Sequence, residues 1–310
     1  MKLSIVTSLY RSEPYLAEFL RRAAEAARPL AGEDFEVIFV NDGSPDNSLE
    51  TALRLRRDEP RLTVVDLARN FGHHHALMAG IRRAAGERVF LIDVDLEEPP
   101  ELLGELWRVL EEHPEADVAY GVQRERKGGW FERWSGRLFY RVMRLLSPVD
   151  YPADTLTARL MSRRYVESLK LFRDREFDLW VNFALAGFVQ LPVEAVKTDK
   201  GSSSYTFGRK LRHALESVTS SSAAPLYGIF LLGMAVFLTA LGYLGFLVVN
   251  KIFWEVPVGW SMLAASIWGL GGMIMISIGT VGIYLGRVFV ECKQRPEVIV
   301  RRVYGPGEEP

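Results

Sequence analysis

Residues 88–101 read RVFLIDVDLEEPPE. Val89 to Ile92 is a short apolar run of strand-forming residues, and it ends in two aspartates, Asp93 and Asp95, with acid and proline behind them. A buried strand gains nothing from stacked carboxylates at its tip, because an ionised group taken from water must be paired. On an extended chain residues i and i+2 point the same way, so the two carboxylates repel unless a cation sits beside them. Hard oxygen ligands suit Mg²⁺ or Mn²⁺, and Mg²⁺ typically takes one or two carboxylates together with substrate phosphates. Solvated loop acids are the plain alternative, and the D-x-D pattern alone does not decide between the two.

The flanking chain decides. Strand patterns read at Leu3–Leu9, Phe35–Asn41, Leu62–Leu67, Arg88–Ile92 and Asp117–Val122, and helical patterns at Tyr15–Ala27, Ser48–Asp58, His74–Ala85 and Pro100–Glu112. This alternation predicts an α/β, Rossmann-like, mostly parallel sheet with helices on both faces. Ligands of such sheets bind beyond the carboxyl ends of the strands. Four of those ends are polar here: TSLYRSE from Thr7, NDGSPD from Asn41, LARNFGH from Leu67 and DVDLEE from Asp93. One polar strand end is a loop; four in one sheet outline the rim of a site. Thr7 and Leu9, at the end of the first strand, and Glu13 beyond it are candidate nucleotide contacts. Asp42 can accept a hydrogen bond from a base N–H, and Gly43 lets the chain turn sharply. A tight turn with Ser48 as helix cap explains the same residues structurally. Arg69 and Asn70 stand close to a helix N-terminus, where guanidinium and backbone amides both suit phosphate. Adjacent histidines diverge around a helix start, so His73, His74 and His75 read as packing or nucleotide contacts rather than metal ligands.

The chain has 310 residues, a formal net charge of -1 and 48% hydrophobic residues. The near-zero charge argues against a nucleic-acid binder working through bulk basicity. The single cysteine, Cys292, rules out an intramolecular disulfide and a cysteine-based zinc site. The opening MKLSIVTSLY lacks a long apolar stretch ahead of a cleavage site and reads as a strand, not a signal peptide. No charged side chain lies between Glu216 and Lys251, nor between Glu255 and Arg287. Each gap exceeds the roughly 20 residues a membrane helix needs. The expectation is a transmembrane hairpin over 225–287, with spans at 226–249 and 260–285. Arg209, Lys210 and Arg212 precede it, and Arg287, Lys293, Arg295, Arg301 and Arg302 follow, so both termini are expected in the cytoplasm. Gly282 and Gly286 have small-xxx-small spacing, which favours close helix packing within the hairpin or between subunits.

Residues 129–147 carry Arg133, Arg137, Arg141 and Arg144 on one side and Trp130, Trp134, Leu138, Phe139, Val142, Leu145 and Leu146 on much of the rest. A basic face opposed to an aromatic and aliphatic one suits a helix lying in the plane of a lipid bilayer. An ordinary helix packed on the sheet is the alternative. The expected organisation is a catalytic domain over 1–205, a juxtamembrane helix over 206–224, the hairpin, and a cytoplasmic tail over 288–310.

Taken together, SIVTSLYRSE, VNDGSPDNS, LARNFGHHHALMAG, DVDLEEPPE, ARLMSRR and GSSSYTFGRKL with the hairpin resemble family 2 glycosyltransferases of GT-A fold. The resemblance is to the polyprenyl-phosphate sugar transferases, among them dolichyl-phosphate mannose synthase and bacterial undecaprenyl-phosphate transferases of the GtrB and ArnC type. It implies that Asp42 contacts the nucleobase, that Arg69 and Asn70 border the nucleotide, and that Asp93 and Asp95 hold the donor diphosphate and a Mg²⁺ or Mn²⁺ ion. It further implies that Arg124 and Arg126 face phosphate, and that Lys200, Ser204, Arg209 and Lys210 lie near the acceptor phosphate. Relatives commonly carry Gln-Asp where this chain has Glu97-Glu98, and a G-D-F-R stretch whose aspartate has been proposed as a base. Here the matching stretch is LTAR, so Thr157 stands in place of that carboxylate and Asp154 is the nearest substitute, with Glu176 and Asp178 further on. Ser204 replaces a lysine of the same family pattern. No base is required in principle, because a phosphate monoester with a second pKa near roughly 6 is largely dianionic at neutral pH.

The resulting expectation is a metal-dependent, membrane-anchored, inverting transferase. It would move one hexose-type sugar from a nucleotide sugar, UDP-linked in the first place and GDP-linked as the alternative, to polyprenyl phosphate, and act as a homo-oligomer without nucleic acid. Two spans and the lack of a Q-x-x-R-W stretch argue against a processive synthase. A catalytically silent membrane scaffold or lipid-phosphate binder on the same fold is the rival from another class, motivated by Thr157 and Ser204.

Overall fold

The computed structural model describes residues 1–123, 155–172, 179–195 and 260–306, and scattered positions between 226 and 242. Eight strands form one sheet: β1 (Leu3–Leu9), β2 (Phe35–Asn41), β3 (Leu62–Leu67), β4 (Arg88–Leu91), β5 (Val118–Gln123), β6 (Thr155–Ser162), β7 (Gln190–Ala195) and β8 (Val300–Tyr304). Their order is β7-β5-β6-β4-β1-β2-β3-β8. β1 pairs in parallel with both β2 and β4, and β2 with β3, so the four strands whose ends were read as a rim stand side by side. The expected α/β class and the five strands read from the sequence are all present.

Three strands were not foreseen. β6 runs antiparallel between β4 and β5, and β7 lies parallel to β5. β8 joins the edge of β3 in antiparallel register. The segment expected as a cytoplasmic tail over 288–310 contributes this strand to the sheet, and the sequence reading did not foresee it. VRRVY is short and carries two arginines, the charge pattern that edge strands use and that hides their alternation.

Helices cover both faces because the central strands are apolar on both sides. On one face α1 (Leu16–Ala31), α2 (Ser48–Asp58) and α4 (Leu102–Glu112) pack over Ile5, Phe39, Phe90, Leu156 and Leu160. On the other, α3 (His73–Arg83), α5 (Arg163–Leu169) and α6 (Leu179–Leu185) pack over Val6, Val40, Leu91, Tyr120 and Met161. α1 continues past the expected end at Ala27 to Ala31 with Pro29 in its last turn, where the missing N–H costs one hydrogen bond on an exposed side.

The chain divides into two compact units. One holds the sheet, its helices and the segment from Arg295 onward; the other holds α7 (Trp260–Cys292). α7 contains a window over Leu270–Cys292 with mean hydropathy 1.8 and none of it buried, long and apolar enough to cross a membrane. It contains the expected second span. Most of the expected first span, the 129–147 helix and the 206–224 helix lie outside the described residues.

Candidate active site

The rim is built from backbone before any side chain acts. The end of β1 and the loop after β2 are stitched together: the Asp42 amide donates to Leu9 O at 3.0 Å, Arg11 N to Ser44 Oγ at 2.7 Å and Ser12 N to Ser48 Oγ at 3.0 Å. Glu13 N donates to Asp46 Oδ2 at 3.3 Å, and the Glu13 carboxylate accepts from Asn47. Arg11 and Leu96 hold positive φ values of 54° and 63°. Left-handed backbone in a non-glycine residue costs on the order of 1 kcal/mol and collects at functional sites. Gly43, with φ 58°, is a strict requirement, since a Cβ there would lie 2.5 Å from the Arg69 carbonyl carbon and the Asn70 nitrogen.

Asp42 is 2% exposed, and its carboxylate accepts from Phe71 N at 2.7 Å and Gly72 N at 3.0 Å. It thus clamps the loop after β3 against the loop after β2. The sequence suggested a base contact; the structure shows this clamp, a use of the side chain that reading the sequence missed. Arg69 donates to Asn70 O at 2.8 Å and lies over the Phe71 ring at 4.1 Å. Thr7 is fully buried, with its Oγ1 unpartnered among the described residues, and Leu9 is fully buried.

The acidic loop differs from the extended tip that the spacing implied. β4 ends at Leu91, and Val94 and Asp95 lie in a turn. Asp95 Oδ1 accepts from Glu97 N at 3.0 Å, which holds that turn closed. Asp93 is gripped from β6: the Thr157 hydroxyl donates to Asp93 Oδ2 at 2.8 Å. Asp93 Oδ1 is buried without a hydrogen-bond partner among the described residues; His73 Nε2 stands 3.4 Å away, an ion-pair distance without hydrogen-bond geometry. The other ring nitrogen, His73 Nδ1, is 2.9 Å from Ser8 Oγ. A buried carboxylate oxygen with no donor, two residues from a second aspartate, is the hard oxygen a divalent cation prefers, while no group of three or more His, Cys, Asp or Glu side chains placed to hold a metal occurs among the described residues.

Glu98, 2% exposed, accepts from Thr157 N at 3.0 Å and Ala158 N at 2.7 Å. It fixes the strand that carries Thr157. Two residues along that strand, Arg159 is 2% exposed and lies 3.5 Å from the Phe183 ring and 5.0 Å from Trp180. Burial pushes its guanidinium down to about 10, against opposing pulls from Tyr165, Tyr120 and Glu98. On α3, His74 Nδ1 accepts from Leu179 N at 3.4 Å, and burial lowers the His75 imidazole below its ordinary value. His74 and His75 are thus held in packing contacts, one of the two roles read from the sequence, whereas His73 touches the acidic site.

The structure thus brings Thr7, Leu9, Glu13, Asp42, Arg69, Asn70, Asp93 and Asp95 to one edge of the sheet. Arg124, Arg126, Asp154, Glu176, Asp178, Lys200, Ser204, Arg209 and Lys210 lie outside the described residues. Thr157, His73 and Glu98 join the site through tertiary contacts that spacing alone does not reveal.

The profile of the family described as Glycosyl transferase family 2 matches residues 4–170. A Mycobacterium tuberculosis protein named only as a glycosyltransferase is 44% identical over 98% of this chain and 89% of its own length. The SfII prophage-derived bactoprenol glucosyl transferase of Shigella flexneri is 30% identical over 97% of this chain and 98% of its own length. Among solved structures, glucosyl-3-phosphoglycerate synthase from Mycobacterium tuberculosis in complex with phosphoglyceric acid superposes with TM-score 0.50 at 17% identity, over 71% of this chain and 80% of that one. That likeness speaks for the fold alone. The profile covers more than half of the sequence, and this chain belongs to glycosyl transferase family 2.

Proposed function

We propose that this chain is a metal-dependent, membrane-anchored, inverting transferase moving one hexose from a UDP-linked sugar to polyprenyl phosphate. The observation that carries this reading is the end-to-end likeness to a bactoprenol glucosyl transferase, which takes in the apolar helix α7 as well as the sheet. Bactoprenol is a polyprenyl lipid, and an acceptor of that kind requires an enzyme held at a bilayer.

In this reading the acceptor phosphate oxygen attacks the anomeric carbon while the bond from that carbon to the donor diphosphate breaks, inverting the configuration. Asp93 and Asp95 would hold Mg²⁺ or Mn²⁺, which when bound neutralises charge on the departing nucleoside diphosphate. Thr157 orients Asp93 and brings no carboxylate of its own to the incoming phosphate, whose dianion needs no base. Asp42 keeps the Arg69–Gly72 loop in place, and Arg69, Asn70, Thr7, Leu9 and Glu13 border the nucleotide. Arg124, Arg126, Lys200, Ser204, Arg209 and Lys210 are assigned to phosphate groups, the cations screening acceptor from donor. Asp154 remains the candidate should a carboxylate assist.

The proposed organisation is a cytoplasmic catalytic domain over 1–205 that also takes in β8, a juxtamembrane helix over 206–224, and a hairpin over 225–287 in the inner membrane. Both termini are cytoplasmic, and the Gly282–Gly286 spacing supports a homo-oligomer. The test incubates the enzyme in membranes with a panel of radiolabelled nucleotide sugars, undecaprenyl phosphate and Mg²⁺ or Mn²⁺. Lipid-linked sugar should form with one donor, together with nucleoside diphosphate release that requires both metal and lipid. A protein that binds the lipid phosphate yet releases no diphosphate with any donor is the silent scaffold, and that result would overturn the reading.

A further inference from the structure

We infer that β8, the strand that follows the apolar helix, belongs to the donor-binding machinery, with Arg301 as its positioning residue. This rests on the reading of the Asp42 and Arg69 loops as the nucleotide rim.

The register makes Arg301 special. Asp66 pairs with Arg302 and Leu67 with Val300, so Arg301 is the extra residue of a bulge in β8. A bulge re-aims a side chain out of the strand's alternation. Here it turns the guanidinium onto the end of β3: Arg301 Nη1 lies 3.2 Å from Asp66 Oδ2, and Nη2 donates to Ala68 O at 2.7 Å. The Ala68 amide in turn donates to Ile299 O at 2.8 Å. Asp66 is 1% exposed and takes a second hydrogen bond from Asn41 Nδ2 at 2.8 Å. Asn41 Oδ1 accepts from Ser44 N at 3.3 Å.

One cation therefore reaches both rim loops. Through Ala68 it holds the start of the Arg69–Gly72 loop directly. Through Asp66 and Asn41 it reaches the loop that carries Asp42, whose carboxylate grips the amides of Phe71 and Gly72. Removing it leaves a buried carboxylate short of its charged partner, the costly half of breaking such a pair. A second tie from the same segment, Glu297 to Arg82 at 2.6 Å, holds α3, which begins at His73. The segment that returns from α7 thus sets the geometry of the donor rim, and Arg301 does so without touching donor or acceptor.

The test compares Arg301→Gln and Arg301→Lys with wild type and with Arg108→Ala, an exposed arginine of α4 away from the rim, in the whole chain in detergent. UDP and GDP binding are measured calorimetrically with Mn²⁺, alongside hydrogen exchange of residues 41–44 and 68–72. Arg301→Gln should weaken nucleotide binding about tenfold, or 1.4 kcal/mol, and speed exchange in both loops. Arg301→Lys should recover part of the loss, and Arg108→Ala should match wild type. In turnover assays the donor KM should rise while the KM for polyprenyl phosphate holds. Equal nucleotide affinity and exchange in Arg301→Gln and wild type would refute the inference. Failure of wild type to bind either nucleotide would instead refute the reading of the rim itself. Should Arg301→Gln unfold, the Arg301→Lys comparison decides by the same two measurements.

Discussion

The Thr157 hydroxyl donates to Asp93 Oδ2 at 2.8 Å, across 64 positions of sequence. The Thr157 side chain is thus spent on orienting a carboxylate. A ligand's outer partner is worth about 10–100-fold in metal affinity. Thr157→Val keeps the shape and removes the donor. Activity titrated against Mn²⁺ should then need about tenfold more metal, with the maximal rate at saturating metal falling much less. A loss of rate at saturating Mn²⁺ with unchanged metal demand would show that Thr157 acts on the reacting groups themselves.

Asp95→Asn tests the proposed cation site from its other side. The amide keeps the acceptor oxygen for Glu97 N, so the turn and the melting temperature should stay close to wild type. It removes one of the two charges, and transfer should drop by at least a hundredfold, on the order of 2.7 kcal/mol. Chelation of wild type should abolish transfer, and Mg²⁺ or Mn²⁺ should restore it. Near-normal turnover by Asp95→Asn would remove the acidic loop from the mechanism.

The parallel heart of the fold was legible because β1 to β4 are buried nearly throughout and so read as mostly apolar β-forming segments with polar ends. The rim was legible for the same reason: Asp42 follows β2 directly, and Arg69, Asp93 and Asp95 lie within four residues of the end of β3 or β4. β6 was hidden by Thr157 and Arg159, buried polar residues that break the apolar run and owe their burial to Asp93, Phe183 and Trp180. β8 was hidden by Arg301 and Arg302, whose partner Asp66 lies 235 positions away in the case of Arg301. Asp42 shows the limit most plainly. Sequence identified it as an acceptor at the rim, and only the tertiary structure shows that Phe71 and Gly72 supply donors.

Glu98 holds the start of β6 by accepting from two amides at once, Thr157 N and Ala158 N. Glu98→Gln has one oxygen for two donors, so an amide N–H would face an N–H. A buried donor left unsatisfied costs about 1–3 kcal/mol. The melting temperature should fall by several degrees, and the Mn²⁺ requirement should rise with it because Thr157 rides on the same strand. A lower melting temperature with an unaltered metal titration would separate the strand's stability from the site's geometry.

Asp46 makes the rim sensitive to acid. Burial works to raise its pKa, but hydrogen bonds from Ser44 and Ser48 and from the amides of Glu13 and Ser48 outweigh it and hold the carboxylate below its ordinary value. A carboxylate whose folded pKa is depressed adds stability above the unfolded value, about 4, and that share is lost as pH falls through the lower, folded value. Thermal midpoints of wild type and Asp46→Asn should therefore differ most near neutral pH, with wild type higher. The gap should narrow as the pH drops from about 4 downward. A gap that is constant from neutral to strongly acidic pH would mean that Asp46 supports the loop by shape alone, with its charge contributing nothing.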